Sequence, residues 1–214
     1  FLTHIHSDHS AGLADLLLTP WIMGRDKEIK LFGPNGLDKM ANSILMAYEE
    51  DIDYRIDGTQ PSNKKGYKYK FKSIEEGLIY EDENVKVEAF RVPHGSFDDA
   101  YGFKFTTEDK VIVFSGDTGP SKTVEKLAYK ADILVHEVYS QAGFLKKTED
   151  WQKYHQDHHT STLEVGEIAS RAKPQLLLLS HILFWGSTPD EILQETRQTF
   201  NGNIKVAEDL MIIE

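Results

Sequence analysis

Residues 3–9, THIHSDH, bring together side chains that bind metal ions. The run holds three histidines and one aspartate within six residues. Side chains two positions apart in an extended segment point to the same side, so His4 and His6 can hold one ion together. A turn into a following helix would direct Asp8 and His9 toward a second ion. Imidazole and carboxylate ligands suit zinc, iron or manganese, so the spacing predicts a metal centre.

A single histidine is more often a surface or a satisfied core residue than a metal ligand, and this is how we interpret His155 and His158. The run at 3–9 is different, because a chain with 9 histidines in 214 residues seldom places three of them so close together. The chain has no cysteine, which excludes thiolate ligands and disulfides. Any metal ion must therefore be bound through histidine and carboxylate.

Hydrophobic periodicity predicts the elements that must position these residues. The predicted strands are 29–32, 67–71, 85–92, 101–106, 110–115, 133–135 and 175–180, and the predicted helices are 10–18, 37–48, 121–129, 162–172 and 189–200. Thr188 before Pro189 is typical of a helix start. The order is a βα unit, a run of antiparallel strands and then βαβα, which predicts one α/β (α+β) domain over residues 1–214.

The pattern His-x-His-x-Asp-His after Thr3 resembles the signature of the metallo-β-lactamase superfamily. Three later residues extend the resemblance: His94 in VPHG after a predicted strand, Asp117 in FSGDT, and His181 at the end of an apolar strand. The match covers essentially the whole chain, except for the first strands of the family, which would lie upstream of Phe1. The resemblance implies a four-layer αββα sandwich with the metal ions at one sheet edge.

The same resemblance implies a cofactor of two divalent metal ions, zinc being expected first and manganese or iron being alternatives. The implied ligands are His4, His6 and His94 for one ion, Asp8, His9 and His181 for the other, and Asp117 as the bridge between them. A carboxylate is a suitable bridge between two cations in a chain that has no thiolate.

Two further segments resemble the ribonuclease Z branch of the family. His136-Glu137 ends a buried strand as the branch's His-Glu-Ala-Thr element does, and residues 159–161, HTS, resemble its later histidine element. By this resemblance Glu137 orients His159, and His159 protonates the leaving oxygen of a phosphodiester. The alternative is that these are polar residues at a strand end and a helix cap. The role of His136 is open, and His158 is a rival to His159.

One feature of that branch is missing. Ribonuclease Z inserts a long tRNA-gripping arm between the third metal-binding histidine and the bridging aspartate, whereas only residues 95–116 lie there in this chain. The formal net charge of −11 also disfavours long contact with nucleic acid. The resemblance is therefore closer to arm-less relatives such as cyclic-nucleotide phosphodiesterases and arylsulfatases. We expect a small-molecule ester substrate, no long nucleic-acid partner, no membrane association and a possible homodimer.

The expected reaction is attack of a metal-bridging hydroxide on phosphorus, sulfur or a carbonyl carbon. Asp8 would be a ligand that also guides the proton of the attacking water, so the expected catalytic residues are Asp8, Glu137 and His159. A general acid matters most for a poor leaving group, which favours a phosphodiester. A lactonase or β-lactamase would use the same metal ions without needing Glu137 and His159. A non-catalytic scaffold is disfavoured because all seven ligands are present.

Several aromatic residues could either shape a substrate site or pack in the core: Trp21, Trp185, Tyr139 and Phe184. No apolar run is long enough to span a bilayer. The sequence begins with Phe1 and not with methionine, so the compartment is not indicated.

Overall fold

The computed structural model describes residues 1–213, and the chain divides into two compact units, residues 1–75 and residues 76 onward. Each unit has its own sheet and its own hydrophobic core. The expectation of one domain over 1–214 stays a prediction. Among the described residues, no helix is both long and apolar enough to cross a membrane.

The first unit contains four helices and a two-stranded parallel sheet. Its elements are α1 (Ser7–Ser10), α2 (Leu13–Ile22), β1 (Ile29–Gly33), α3 (Leu37–Ala47), α4 (Glu49–Asp57) and β2 (Tyr69–Ser73). Helix α2 buries Leu13, Leu17 and Trp21, which are spaced four residues apart and therefore share one face. Trp21 is 1% exposed and its indole nitrogen donates to the backbone oxygen of Asn63. It is a core residue of this unit.

Arg25 connects α2 to the loop that precedes β2. Its guanidinium donates to the backbone oxygens of Leu16, Leu17 and Gly66. Pro20 lies inside α2 and has no N–H, so the carbonyl of Leu16 lacks its partner four residues on, and the hydrogen bond from Arg25 supplies one.

The second unit contains a seven-stranded sheet whose strands lie in sequence order, β3 to β9. Its elements are β3 (Gly77–Glu81), β4 (Lys86–Arg91), β5 (Tyr101–Thr106), β6 (Val111–Phe114), α5 (Lys122–Leu127), β7 (Ile133–Tyr139), α6 (Gln141–Phe144), α7 (Glu149–His158), α8 (Thr162–Ala172), β8 (Leu176–Leu183), α9 (Pro189–Thr196) and β9 (Ile204–Val206). Strands β3 to β6 are antiparallel and strands β6 to β9 are parallel. The antiparallel strands follow one another through loops, while helices connect the parallel ones, as parallel pairing requires.

Helix α8 shows how the parallel half of this unit is covered. It buries Val165, Ile168, Ala169 and Ala172, at helical spacing i, i+3, i+4 and i+7, and these residues belong to the main core. The parallel strands are apolar without alternation, as at residues 176–179 of β8, because both faces of a parallel sheet are covered.

Helix starts in this unit follow from their capping residues. Ser161 and Thr188 each accept a hydrogen bond from the backbone nitrogen of a glutamate three residues on, and that glutamate bonds back to the cap. The predicted helix start at Thr188-Pro189 is confirmed.

The predicted strands and helices are all present, with ends displaced by a few residues. The prediction missed α4, α6, α7, β3 and β9. Helix α7 has no fully buried residue, and β9 has three residues, so neither produces a clear apolar period. The predicted first helix is two elements, α1 and α2, separated by a turn at 11–12.

We predict that Gly166→Ala destabilises the second unit. A Cβ there would lie 2.1 Å from Oγ1 of Thr199 and 2.8 Å from the backbone oxygen of Thr196. Overpacking of this kind costs about 1–3 kcal/mol, which lowers the melting temperature by about 2–12 °C. Thermal unfolding followed by circular dichroism measures it. Glu167→Ala, an exposed change on the same helix, is the control, and equal melting temperatures for the two variants would contradict the prediction.

Candidate active site

In the first unit the run at residues 3–9 forms two close pairs of potential metal-ligand atoms. Nε2 of the fully buried His4 lies 3.1 Å from Nδ1 of His6. Helix α1 then turns the chain, and Ser10 fastens the turn by donating its hydroxyl to the backbone oxygen of His6 at 2.8 Å. On this turn, Oδ2 of Asp8 lies 3.5 Å from Nε2 of His9.

These separations can be compared with what a metal ion needs. Two ligand atoms at about 2.1 Å from a tetrahedral zinc ion lie about 3.4 Å from each other. The pair from His4 and His6 and the pair from Asp8 and His9 are both close to this value. The donor set of the first unit therefore fits a divalent ion.

In the second unit the candidate residues lie where parallel strands end. Asp117 follows β6, Glu137 lies near the end of β7, and His181 lies in β8. The carboxyl ends of parallel strands lie at the same edge of a sheet, which is where α/β proteins usually bind ligands. His159 lies between α7 and α8, and His94 lies between β4 and β5.

Asp117 is the centre of this group. It is 3% exposed. Its Oδ1 lies 3.5 Å from Nδ1 of His181, and its Oδ2 lies 3.9 Å from Nδ1 of His159. A buried carboxylate is costly unless cations or hydrogen-bond donors compensate it. The separation between Asp117 and His181 also matches that of two ligands of one zinc ion.

A β-bulge directs His181 toward Asp117. Glu137 pairs with Ser180 and Val138 pairs with Ile182, so His181 is the extra residue in β8. Its φ is +46°, in the left-handed region that residues other than glycine seldom adopt. Bulges commonly redirect a side chain next to a functional site, and the local strain is compensated by the surrounding sheet.

Glu137 connects the sheet to His159. Its Oε1 accepts from the backbone nitrogens of Thr160 at 2.8 Å and Thr118 at 3.3 Å. Its Oε2 lies 3.4 Å from Nδ1 of His159. Burial raises the pKa of Glu137 well above its usual value, the charge of Asp117 raises it further, and the two backbone donors oppose both effects.

One ring nitrogen of His94 forms a hydrogen bond with the protein backbone. Its Nδ1 lies 2.8 Å from the backbone oxygen of His158, which accepts the hydrogen bond and leaves Nε2 as the nitrogen for a metal ion. Burial lowers the pKa of His94 to about 4, so the ring is neutral at pH 7, which is the form that binds metal.

The structure also shows that the neighbouring residues His158 and His159 have different surroundings. Nδ1 of His158 donates to the backbone oxygen of Tyr154 at 2.7 Å, within α7, whereas the ring of His159 faces Glu137 and Asp117. His136 is fully buried beside them, and its Nδ1 lies 2.6 Å from the backbone oxygen of Glu137. Burial lowers the pKa of His136 to about 4, so it is a neutral residue inside the sheet.

Sequence analysis did not single out the groups that position these side chains. Ser115 accepts from the backbone nitrogen of Glu137 at 3.1 Å, and Thr160 donates to the backbone oxygen of Thr118 at 2.7 Å. Gly95 has a φ of +57° and its backbone nitrogen donates to the backbone oxygen of Asp157. These residues lie in the motifs VPHG, FSGDT and HTS, but their contacts join segments distant in sequence through the backbone, which a local motif does not indicate.

Gly95 has to be glycine for two reasons. Its φ is positive, and a Cβ would lie 2.0 Å from Nε2 of His158. We predict that Gly95→Ala displaces the adjacent His94, lowering zinc affinity about 10- to 100-fold as well as the melting temperature. Gly77→Ala is the control, because Gly77 also has a positive φ but open space around it. Zinc titration with a competing chelator distinguishes them, and equal zinc affinities for the two variants would contradict the prediction.

Comparison with known proteins identifies the family. The family described as Beta-lactamase superfamily domain matches residues 1–182. A putative ribonuclease Z of Mycobacterium tuberculosis (strain CDC 1551 / Oshkosh) is 29% identical over 222 residues, which cover 100% of this chain and 97% of that protein.

Two solved structures are similar over nearly the whole chain. A metallo-beta-lactamase fold protein from Bacillus subtilis has a TM-score of 0.69 and 19% identity, covering 99% of this chain and 75% of its own. The short form of human tRNase Z has a TM-score of 0.70 and 23% identity, covering 100% of this chain and 77% of its own. The family binds divalent metal ions, and both units carry histidine and aspartate side chains able to bind them. The chain therefore belongs to the β-lactamase superfamily, has the metallo-β-lactamase fold and is a hydrolase.

Proposed function

We propose that this hydrolase cleaves phosphodiester bonds with two divalent metal ions and with His159 as general acid. The observation that carries the proposal is the distance of 3.4 Å between Oε2 of Glu137 and Nδ1 of His159, because hydrolysis with a good leaving group needs no such pair. The relatives named ribonuclease Z act, by that name, on the phosphodiester bonds of RNA.

The proposed ligands are those expected from the family resemblance: His4, His6 and His94 for one ion, Asp8, His9 and His181 for the other, and Asp117 as the bridge. The donor pairs within each unit, at 3.1–3.5 Å, support this assignment. Zinc suits these donors, and manganese or iron are alternatives. The ions would supply a nucleophile at neutral pH and neutralise the charge that develops on the substrate.

Asp8 has a second proposed role, which is to take up the proton of the attacking water. The side chain of Asp8 is 62% exposed, unlike that of Asp117 at 3%, so it can pass a proton on to solvent. A carboxylate within hydrogen-bond reach of a reacting water is a suitable general base.

The contribution of Glu137 is to fix the ring of His159. Two backbone donors hold the carboxylate in place, and Oε2 can then accept a hydrogen bond from the Nδ1–H of the imidazole. This selects one tautomer, and an acceptor on Nδ1 also makes the other nitrogen more basic. Protonated His159 can donate from Nε2 to an alkoxide that leaves with difficulty.

We propose a small diester and not a long RNA as the substrate. Residues 95–116 form only β5, β6 and their connections, so this part of the chain offers no extended arm. The net charge of −11 also disfavours a long polyanion. A cyclic nucleotide or a sulfate ester is compatible with both observations. A homodimer stays a prediction.

The metal requirement can be tested by removing the metal ions with a chelator and then adding zinc back. Chelation is expected to abolish hydrolysis, and zinc is expected to restore it at about two ions per chain. We predict that Asp117→Asn lowers this ratio and reduces kcat/KM by about 100-fold or more. The control is Asp109→Asn, a conservative change in the exposed turn between β5 and β6. Metal analysis of each purified variant measures the ratio, and a wild-type ratio near one would refute the dinuclear site.

The role of His159 can be tested with substrates that differ in leaving group. We predict that His159→Ala reduces hydrolysis of a cyclic nucleotide by about 10²- to 10⁴-fold but hydrolysis of bis(p-nitrophenyl) phosphate by about tenfold or less. Nitrophenolate needs little protonation as it leaves, whereas a sugar alkoxide needs it. Zinc content should be unchanged. p-Nitrophenyl sulfate and a lactone are assayed alongside. If only the lactone is hydrolysed, and His159→Ala does not slow that reaction, the phosphodiesterase proposal is wrong.

A further inference from the structure

Helix α7 carries four rings along one face. Trp151, Tyr154, His155 and His158 occupy positions i, i+3, i+4 and i+7, which lie above one another on a helix. We call these four residues the α7 ring stripe. None of the residues of α7 is fully buried, so the stripe is not part of the core.

The rings of the stripe are stacked in pairs. Trp151 lies on His155 with ring centroids 5.5 Å apart and 21° between the planes, and Tyr154 lies on His158 at 4.0 Å and 22°. Trp185, which follows β8, packs on His155 at 4.4 Å. These contacts hold the rings in position before any ligand arrives, which reduces the entropy lost on binding.

The outer rings of the stripe remain exposed. Trp151 is 55% exposed and Tyr154 is 38% exposed. A single exposed aromatic residue needs no explanation, but these two rings meet edge to face, with centroids 5.6 Å apart and 88° between the planes. They form a contiguous apolar patch, and such patches mark binding sites.

The stripe leads to the candidate active site within the second unit. Its last ring, His158, lies 5.1 Å from the ring of His94, and its backbone oxygen binds His94. His159 is the next residue in the chain. Seven helical positions separate Trp151 from His158, a distance of about 10 Å along the axis. A flat group lying on Trp151 would therefore be near the proposed general acid without occupying its place.

Charges of both signs lie beside the stripe: Glu149 and Asp150 form the first turn of α7, before Trp151, and two lysines precede the helix. Nζ of Lys147 lies 4.6 Å from the ring of Trp185, and Lys146 precedes it. Burial lowers the pKa of His155 to about 4, and nearby His159 and Lys147 lower it further, so its ring is neutral at pH 7. The stripe thus offers aromatic surface, with lysines next to it, in a chain whose net charge is −11.

We propose that the α7 ring stripe binds the nucleobase of a nucleotide substrate, which stacks on Trp151 and meets the ring of Tyr154 edge to face, since those two rings lie 5.6 Å apart at 88°. The inference rests on the proposed function, since it names the substrate class of that same site. Every base has a face that stacks on aromatic side chains, and Lys147, whose Nζ lies 4.6 Å from the ring of Trp185, can attract phosphate. The stripe therefore selects nucleotides over other esters without selecting among bases.

Equilibrium binding tests this without turnover. Isothermal titration calorimetry of the zinc-loaded protein with adenosine 5′-monophosphate should show binding weakened by about 5- to 150-fold in Trp151→Ala, the range found for loss of one base–aromatic stack. Ribose 5-phosphate, which has no base, should bind wild type and variant equally. Trp151→Phe, which keeps a ring, should retain most of the affinity. Tyr129→Ala is the matched control, because Tyr129 is also 55% exposed but lies after α5.

A kinetic measurement separates this inference from the proposed function. For a cyclic nucleotide, Trp151→Ala should raise KM by the same factor and leave kcat within about twofold, since uniform binding is lost. If the wild type cleaves no diester, the proposed function fails while the calorimetry still decides the inference. Unchanged affinity for adenosine 5′-monophosphate in Trp151→Ala would overturn it. A dimer dissociated by Trp151→Ala, with nucleotide affinity unchanged, would instead assign the stripe to an interface between two copies.

Discussion

Two buried carboxylates determine how the edge of the large sheet is built. Asp117 and Glu137 are each 3% exposed, and burial raises the pKa of Glu137, with the charge of Asp117 raising it further. Burying a carboxylate is costly unless it is paired, and two close together also repel each other. The neighbouring groups compensate for this. His159 and His181 face the carboxylates, and backbone nitrogens of the adjacent loops donate to Glu137. Divalent ions would compensate the same charges and add reactivity.

The parallel half of the sheet is what brings these groups together. Strands β6, β7 and β8 are neighbours, so their carboxyl ends deliver Asp117, Glu137 and His181 to one edge. The bulge at His181 adds an unfavourable backbone conformation, which the hydrogen bonds between β7 and β8 on either side support. Loops alone would not hold these side chains to the accuracy that catalysis needs, whereas strands packed on both faces can.

The fold that the family shares and the features particular to this chain contribute to different aspects of function, namely hydrolysis and substrate recognition. The metallo-β-lactamase fold accounts for hydrolysis and for the need for divalent metal ions, because both are common to the family. Recognition of a substrate depends on what each member adds around that site. In this chain two features that lie beside the site are the short connection over residues 95–116 and the ring stripe of α7. Trp21, which was a candidate for contacting a substrate, belongs to the core of the first unit.

The sequence by itself determined the family, the main strands and helices and the candidate ligands. Metal-ligand spacing in the run at 3–9 and hydrophobic periodicity are local patterns, so they can be interpreted without coordinates. The tertiary structure alone decided that His159 and not His158 faces Glu137, that His181 lies on a bulge, and that the rings of α7 stack beside the site. Each of these depends on contacts between segments far apart in the chain or on backbone geometry, and neither leaves a periodic signal. Helix α7 was missed for the same reason, since the face that it shows to the site is aromatic and only partly buried.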